Sequence, residues 1–209
     1  MIGPLKVADA ILKGRPVAGS WRIVLACGLA YGGVMGCFGF RAGQVAYSAV
    51  KVPLLLLATL ALSLPSYFVL NTLVGVRSDF AEAWRAVVAS QAGLTIILVS
   101  LAPITAFWYA SSSDYRSAIL FNALMFAVAS FGAQGMLRRA YRPLIAKDPR
   151  HRWLLRTWIV LYAFVGIQMG WILRPFIGDP SQPVGFFRRG QWENAYVIVA
   201  RMIRDALGL

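Results

Sequence analysis

A reactive centre needs acids, bases, nucleophiles or metal ligands at workable spacing, and this chain offers few. His151 is the only histidine. It sits in a basic stretch, Arg138–Arg152, with neither a second histidine nor a cysteine near it in sequence. A zinc site needs three or four such ligands, so no metal site is expected. A serine nucleophile inside an apolar helix would need a histidine facing it, and His151 is placed between helices. Cys27 and Cys37 fall in one apolar stretch, about 15 Å apart along a helix axis. A disulfide needs Cα atoms within about 7 Å, so these two cannot pair with each other. Paired carboxylates are missing, and no G-x-x-x-x-G-K, G-x-S-x-G or H-E-x-x-H pattern occurs. The expectation is a protein that is not an enzyme and has no catalytic, cofactor-binding or metal-binding residues.

What the chain does carry is a set of amides at membrane depth: Asn71, Gln91, Asn122, Gln134 and Gln168. Their ordinary work in lipid is hydrogen bonding across helices, about 0.6 kcal/mol on average. The sharper alternative is a polar lining for a neutral solute or a dehydrated ion. No Asp or Glu lies inside an apolar stretch, although ion-coupled transporters commonly need one there.

The elements that position these amides follow from where charges are absent. Val52–Val76 contains no ionisable residue, and about 20 helical residues cross a hydrocarbon core about 30 Å thick. Ile23–Phe40, Ala86–Ser113, Ser117–Leu137 and Thr157–Leu173 are equally free of charge. With 59% hydrophobic residues and a mean hydropathy of +0.64, the 209-residue chain reads as an all-α, polytopic transmembrane bundle forming a single domain. Its spans are expected at about 22–40, 52–76, 86–111, 117–137 and 154–173.

Leu5, Ala8, Ile11 and Leu12 recur at helical spacing, with Lys6, Asp9 and Lys13 elsewhere on the wheel. The segment 4–15 is therefore expected to lie in the interface as an amphipathic helix, and 192–207 as a second one. Pro65 and Pro103 are expected to kink the second and third spans, with Ser63, Ser66 and Ser100 able to satisfy freed carbonyls. Asp79 and Glu82 have the spacing of a capping pair, starting the third helix near Phe80. Pro143 and Pro149 are expected to keep the basic stretch from forming a continuous helix.

Gly28, Gly32 and Gly36 recur every fourth residue, and Gly166 and Gly170 repeat that spacing in the last span. Four-residue spacing puts glycines on one helix face, where another backbone can approach closely. These five residues are expected to serve helix packing or a subunit contact, and the two glycine faces could pack on each other.

The net charge of +13 would suggest nucleic acid for a soluble protein. Here the basic residues flank spans, so anionic lipid headgroups are the expected partner and nucleic acid is not. Arg138, Arg139, Arg142, Lys147, Arg150, Arg152 and Arg156 are the residues expected to meet headgroups or an acidic partner. Without Arg156, the first six of these together with Lys6, Lys13, Arg15, Arg22, Arg77 and Arg85 outweigh Arg41, Lys51 and Arg116 on the other side, before the tail is counted. The tail adds Arg188, Arg189, Arg201 and Arg204, which a six-crossing or re-entrant arrangement would reconcile. Positive residues concentrate in the cytoplasm, which places the N-terminus there.

Val50–Gly75 (VKVPLLLLATLALSLPSYFVLNTLVG) and Gln168–Arg188 (QMGWILRPFIGDPSQPVGFFR) resemble segments of an uncharacterised bacterial family of small polytopic membrane proteins. The five-span, N-in layout also resembles the Yip-type membrane proteins. The resemblance implies a non-catalytic membrane component and supplies no site residues. The resulting expectation is a structural or accessory subunit in a bacterial cytoplasmic membrane, within a homo-oligomer or larger complex, without a cofactor but with bound lipid. The alternative is an oligomeric channel or facilitator for an ion or small solute.

Overall fold

The structure, a computed structural model, describes residues 4–187 together with Val197 and Arg204. Every regular element among the described residues is helical. The helices are α1 (Pro4–Leu12), α2 (Ser20–Gly36), α3 (Ala42–Leu73), α4 (Phe80–Ser111), α5 (Tyr115–Ala140), α6 (Arg142–Lys147) and α7 (Arg150–Leu173). Single 3₁₀ turns at Phe38–Phe40 and Arg77–Asp79 precede α3 and α4. Four units are long and apolar enough to cross a membrane: Ala42–Leu73, Arg77–Ser111, Tyr115–Ala140 and Arg150–Leu173. At 32 residues each, α3 and α4 are about 48 Å long, more than one bilayer core requires. The 17 residues of α2 reach about 26 Å.

Helix ends follow local chemistry. Gly39, at φ 73°, takes the left-handed conformation that turns the chain from α2 into α3. Gly75 does the same after α3, and the Val76 amide donates back to the Asn71 carbonyl (3.0 Å) to close that end. Asp114 caps α5 by accepting from the backbone amides of Ser117 (2.8 Å) and Arg116 (3.4 Å). Those bonds, Ser117 first, hold its carboxyl below the usual carboxylate range.

Packing links the long helices in the order α7–α3–α2–α4–α5. Helix α2 wedges between α3 and α4, which scarcely meet one another, while α5 lies on α4 and α7 on α3. The bundle is thus an open ring whose two ends, α5 and α7, barely touch. One apolar core gathers Ile11, Tyr31, Val52 and Leu98 around α2. A second joins Tyr67, Val87, Tyr141 and Trp158 at the other end of α3.

The glycines of α2 create its contact with α3. Gly28 faces Pro53, Gly32 faces Ser48 and Ala49, and Gly36 faces Gln44 and Val45 in antiparallel register. A Cβ on Gly32 would stand 2.4 Å from the Ser48 carbonyl oxygen. The α2 glycine face is therefore filled by α3, and α7 does not reach it. Gly166 instead looks toward Thr59, where a Cβ would stand in ordinary contact 3.6 Å from Cγ2, and a Cβ on Gly170 would meet nothing within 4 Å.

Several expectations need correcting. The second span does not start at residue 52: α3 begins ten residues earlier, and Lys51 lies inside it, fully buried. Arg138–Arg152 is mostly helical, because Pro143 occupies the first turn of α6 and Pro149 the N-cap of α7, where a missing N–H costs nothing. Pro53, Pro65 and Pro103 lie inside α3 and α4 without ending them, which leaves the expected kinks at Pro65 and Pro103 uncontradicted. Ser100 bonds the Ile96 carbonyl (2.9 Å), and Ser63 Oγ finds no partner among the described residues. Helix α1 packs Ile11 against Gly93 and Met136 while Leu5 stays exposed. The expected helix at 192–207 lies outside the described residues, apart from Val197 and Arg204.

Candidate functional site

Three polar clusters and one groove are built on this ring. The first cluster joins helices at the α2–α3 turn end. Asn122 Oδ1 accepts from the Tyr31 hydroxyl (3.3 Å), and its Nδ2 donates to Tyr109 Oη (2.6 Å) and the Ala118 carbonyl (2.8 Å). Tyr109 in turn donates to the Met35 carbonyl (3.3 Å). One amide thus ties α2, α4 and α5 together.

The second cluster lies at the opposite end of the bundle. Asp79 was expected to cap α4, but its carboxylate makes no cap bond. It is instead hydrogen-bonded to Lys147 of α6 and to His151 Nε2 of α7 (3.1 Å). That bond holds the Lys147 ammonium above the ordinary lysine range. His151 is not in a loop: it is the second residue of α7 and fully buried. Tyr141 packs edge-on against His151, and its hydroxyl is hydrogen-bonded to that of Tyr67. Asn71 belongs to the same end, donating to the Tyr67 carbonyl (2.8 Å). A single carboxylate thereby joins the turn before α4 to α6 and α7, 68 and 72 residues further along the chain.

The third cluster explains the irregular chain after α7. Arg41, Gln44, Ser48 and Lys51 rise along one face of α3 at helical spacing. Lys51 Nζ donates to the Pro175 carbonyl (2.6 Å) and stands 4.9 Å from the Phe186 ring centre. Ser48 and Gln44 both donate to the Phe176 carbonyl. Arg41 takes the Asp179 and Gln182 carbonyls, each at 2.7 Å. Residues 174–187 form a strap whose carbonyls, lacking helix partners, are satisfied by this ladder. No carboxylate faces Lys51 among the described contacts; carbonyl dipoles and an aromatic ring compensate its charge.

Between α5 and α7 the open ring leaves a groove. It holds two cavities, of about 360 and 590 Å³, within the range of small-molecule sites. Leu55, Phe126 and Ile167 line both, so the cavities adjoin along the helices. Ile167 is also 58% exposed, which makes the groove open sideways. The smaller cavity is apolar apart from Thr59, Ser90, Gln91, Ser130, Gln134 and Tyr162. Tyr162 donates to Gln91 Oε1 (2.9 Å), bridging α7 to α4 across its floor. The larger cavity runs past Gly170 to Arg174 and is closed at its end by strap residues Pro175, Phe176 and Ile177. The Arg174 guanidinium stacks on Trp171, 3.1 Å from the ring centre.

The expected site residues are therefore dispersed. Gln91, Gln134, Gly166 and Gly170 line the groove; Asn122 and Asn71 sit at opposite ends; Gln168 is half-buried on α7. Of the basic residues, Lys147 pairs with Asp79 and Arg150 donates to the Val74 carbonyl (3.1 Å). Arg138, Arg139, Arg142, Arg152 and Arg156 are exposed. Sequence reasoning missed Lys51, Asp79, His151 and Arg174 as structural centres. Their partners lie far away along the chain, and only the i, i+3, i+7 spacing of Arg41, Gln44 and Ser48 hinted at a polar face. Among the described residues, no group of three His, Cys, Asp or Glu side chains converges. Compared with family models, curated proteins and solved structures, the chain has no match.

Proposed function

We propose that this chain is a non-catalytic accessory component of a bacterial inner membrane that holds a membrane lipid in the α5–α7 groove. In this reading the chain crosses the bilayer five times, with α2 as the first crossing and the N-terminus in the cytoplasm. Exposed Arg138, Arg139, Arg142 and Arg152 then meet the cytoplasmic leaflet, where each contributes about 1 kcal/mol toward anionic lipid.

The observation that carries the proposal is the groove itself: largely apolar, running along two helices, and open sideways. Phe131 on α5 and Phe164 on α7 are exposed, as side chains that face acyl chains would be. The alternative, a channel, draws less support because the five amides share no single path. Asn122 and Asn71 have partners at opposite ends, and Gln91 is held by Tyr162.

Extraction into native nanodiscs followed by native mass spectrometry tests both parts. Tightly held lipid that disappears in Gly170→Leu supports the groove, because a side chain there meets open space and no packed neighbour. Equal lipid retention by the variant overturns it. Stoichiometric foreign chains support the accessory role, and a homo-oligomer without other chains favours the channel.

A further inference from the structure

Resting on the groove reading, we propose that the lipid held there is an uncharged isoprenoid quinone, its ring in the smaller cavity and its tail in the larger. The wall of the smaller cavity contains no charged side chain. It does contain hydrogen-bonding groups that the fold leaves unused. Gln91 is 5% exposed, and Tyr162 occupies its Oε1 from α7 (2.9 Å). That bond holds the amide with its Nε2, a donor of two N–H groups, unpaired among the described residues. Gln134 and Ser130, one turn apart on α5, line the same cavity, and their side chains make no hydrogen bond within the described residues.

Depth decides against a charged head. Gln91, Gln134 and Tyr162 lie about 6–9 Å deeper along their helices than the exposed Arg85, Arg138 and Arg156. On α5 and α7, buried Leu137 and Trp158 stand between. A phosphate drawn into this cavity would lose its water and meet no cation, which is costly at membrane depth. A bare hydrocarbon chain would leave both amides desolvated and unpaired. An uncharged head that accepts hydrogen bonds avoids both costs. The free donors stand on separate walls, Gln91 on α4 and Gln134 with Ser130 on α5. A quinone ring presents one carbonyl at each of two opposite edges, which suits that placement. Phe126, Trp158 and Tyr162 line the same space, and aromatic side chains pack well against a flat conjugated ring. The cavity adjoins the larger one along Leu55, Phe126 and Ile167, which gives a path to one tail, where a diacylglycerol has two.

The test places the full chain in phosphatidylglycerol nanodiscs, adds decylubiquinone over a concentration series and measures retained quinone by native mass spectrometry. Saturable binding of a single quinone per chain is expected. Gln134→Leu should weaken it about fivefold, the equivalent of about 1 kcal/mol for one neutral hydrogen bond. Because the Gln134 side chain has no partner in the described fold, that loss reports on the ligand and leaves Tm unmoved. Gln91→Leu should weaken binding at least as much, and dioleoylglycerol in equal amount should not displace the quinone. Gly170→Leu, which obstructs the tail path, should remove quinone and phospholipid alike. Uptake that rises without saturating, is unchanged in Gln134→Leu, or yields to dioleoylglycerol overturns the quinone assignment and leaves the groove standing. Lipid retention unaffected by Gly170→Leu overturns the groove reading on which it rests.

Discussion

Replacing Gly32 with alanine puts a Cβ 2.4 Å from the Ser48 carbonyl oxygen and 2.8 Å from Ala49 Cα. Both obstacles are backbone, so no rotamer change relieves them, and α2 must move off α3 by the better part of an ångström. A gap of 0.5–1 Å already forfeits about a quarter to a half of each dispersion contact it opens. The Gly28–Pro53 and Gly36–Val45 contacts, on the same face, open with it. Overpacking of this kind costs about 1–3 kcal/mol. Gly33 is the internal control: it is the next residue on the same helix, and a Cβ there meets nothing within 4 Å. Both substitutions gain about 1 kcal/mol in helix propensity, so their difference isolates the clash. Gly32→Ala should therefore be about 1–3 kcal/mol less stable than Gly33→Ala. In a thermal unfolding scan in mild detergent this is about 2–12 °C in Tm at this chain length. The loss should appear in the monomer, without a prior change in oligomer size. Equal Tm values for the two variants would refute backbone-on-backbone packing here.

Three further outcomes follow from the polar clusters. Tyr162→Phe leaves Gln91 Oε1 without its 2.9 Å donor, so stability in unfolding scans should fall by about 0.6 kcal/mol, and by no more than about 2. Lys51→Met keeps the side-chain length but removes the donor to Pro175. Hydrogen exchange should accelerate over 176–187 and stay unchanged in α5, and a rise in both would contradict the strap assignment. Asp114 has its carboxyl pulled below the ordinary range, so its contribution is complete above the unfolded value and is lost as pH falls through the folded one. Asp114→Asn should flatten the acid side of the Tm-against-pH curve, and an unchanged curve would count against the cap.

Much of the fold was legible because charge placement is local. Stretches without ionisable residues became α2, α3, α4, α5 and α7. The errors share one cause: a polar residue was assigned by its sequence neighbours when a distant partner decided its place. Lys51 reads as a span end because a lone cation in an apolar helix is costly. The Pro175 carbonyl, 124 residues away, makes it tolerable and lets α3 extend to Ala42. His151 and Asp79 read as a loop residue and a cap for the same reason. The glycine face of α2 was visible, but spacing cannot name a partner, and α3 took the place proposed for α7.

The groove was not legible at all, since it is a contact that two helices fail to make. Its persistence needs a cause, because closing the ring would let α5 and α7 regain the dispersion contacts an open cleft forfeits. Gly170 would favour such closure, as a glycine on a helix face admits a second backbone. Yet nothing approaches it, and a helical glycine without a packing role costs about 1 kcal/mol against alanine. The Tyr162–Gln91 bond ties α7 to α4 from the inner side, while Arg174 and Trp171 contact each other within the end of α7 itself. In a bilayer the space left open is filled by whatever the membrane supplies at its mouth. On the reading proposed above, Gly170 leaves in this cavity the room for a lipid tail that a larger side chain would fill.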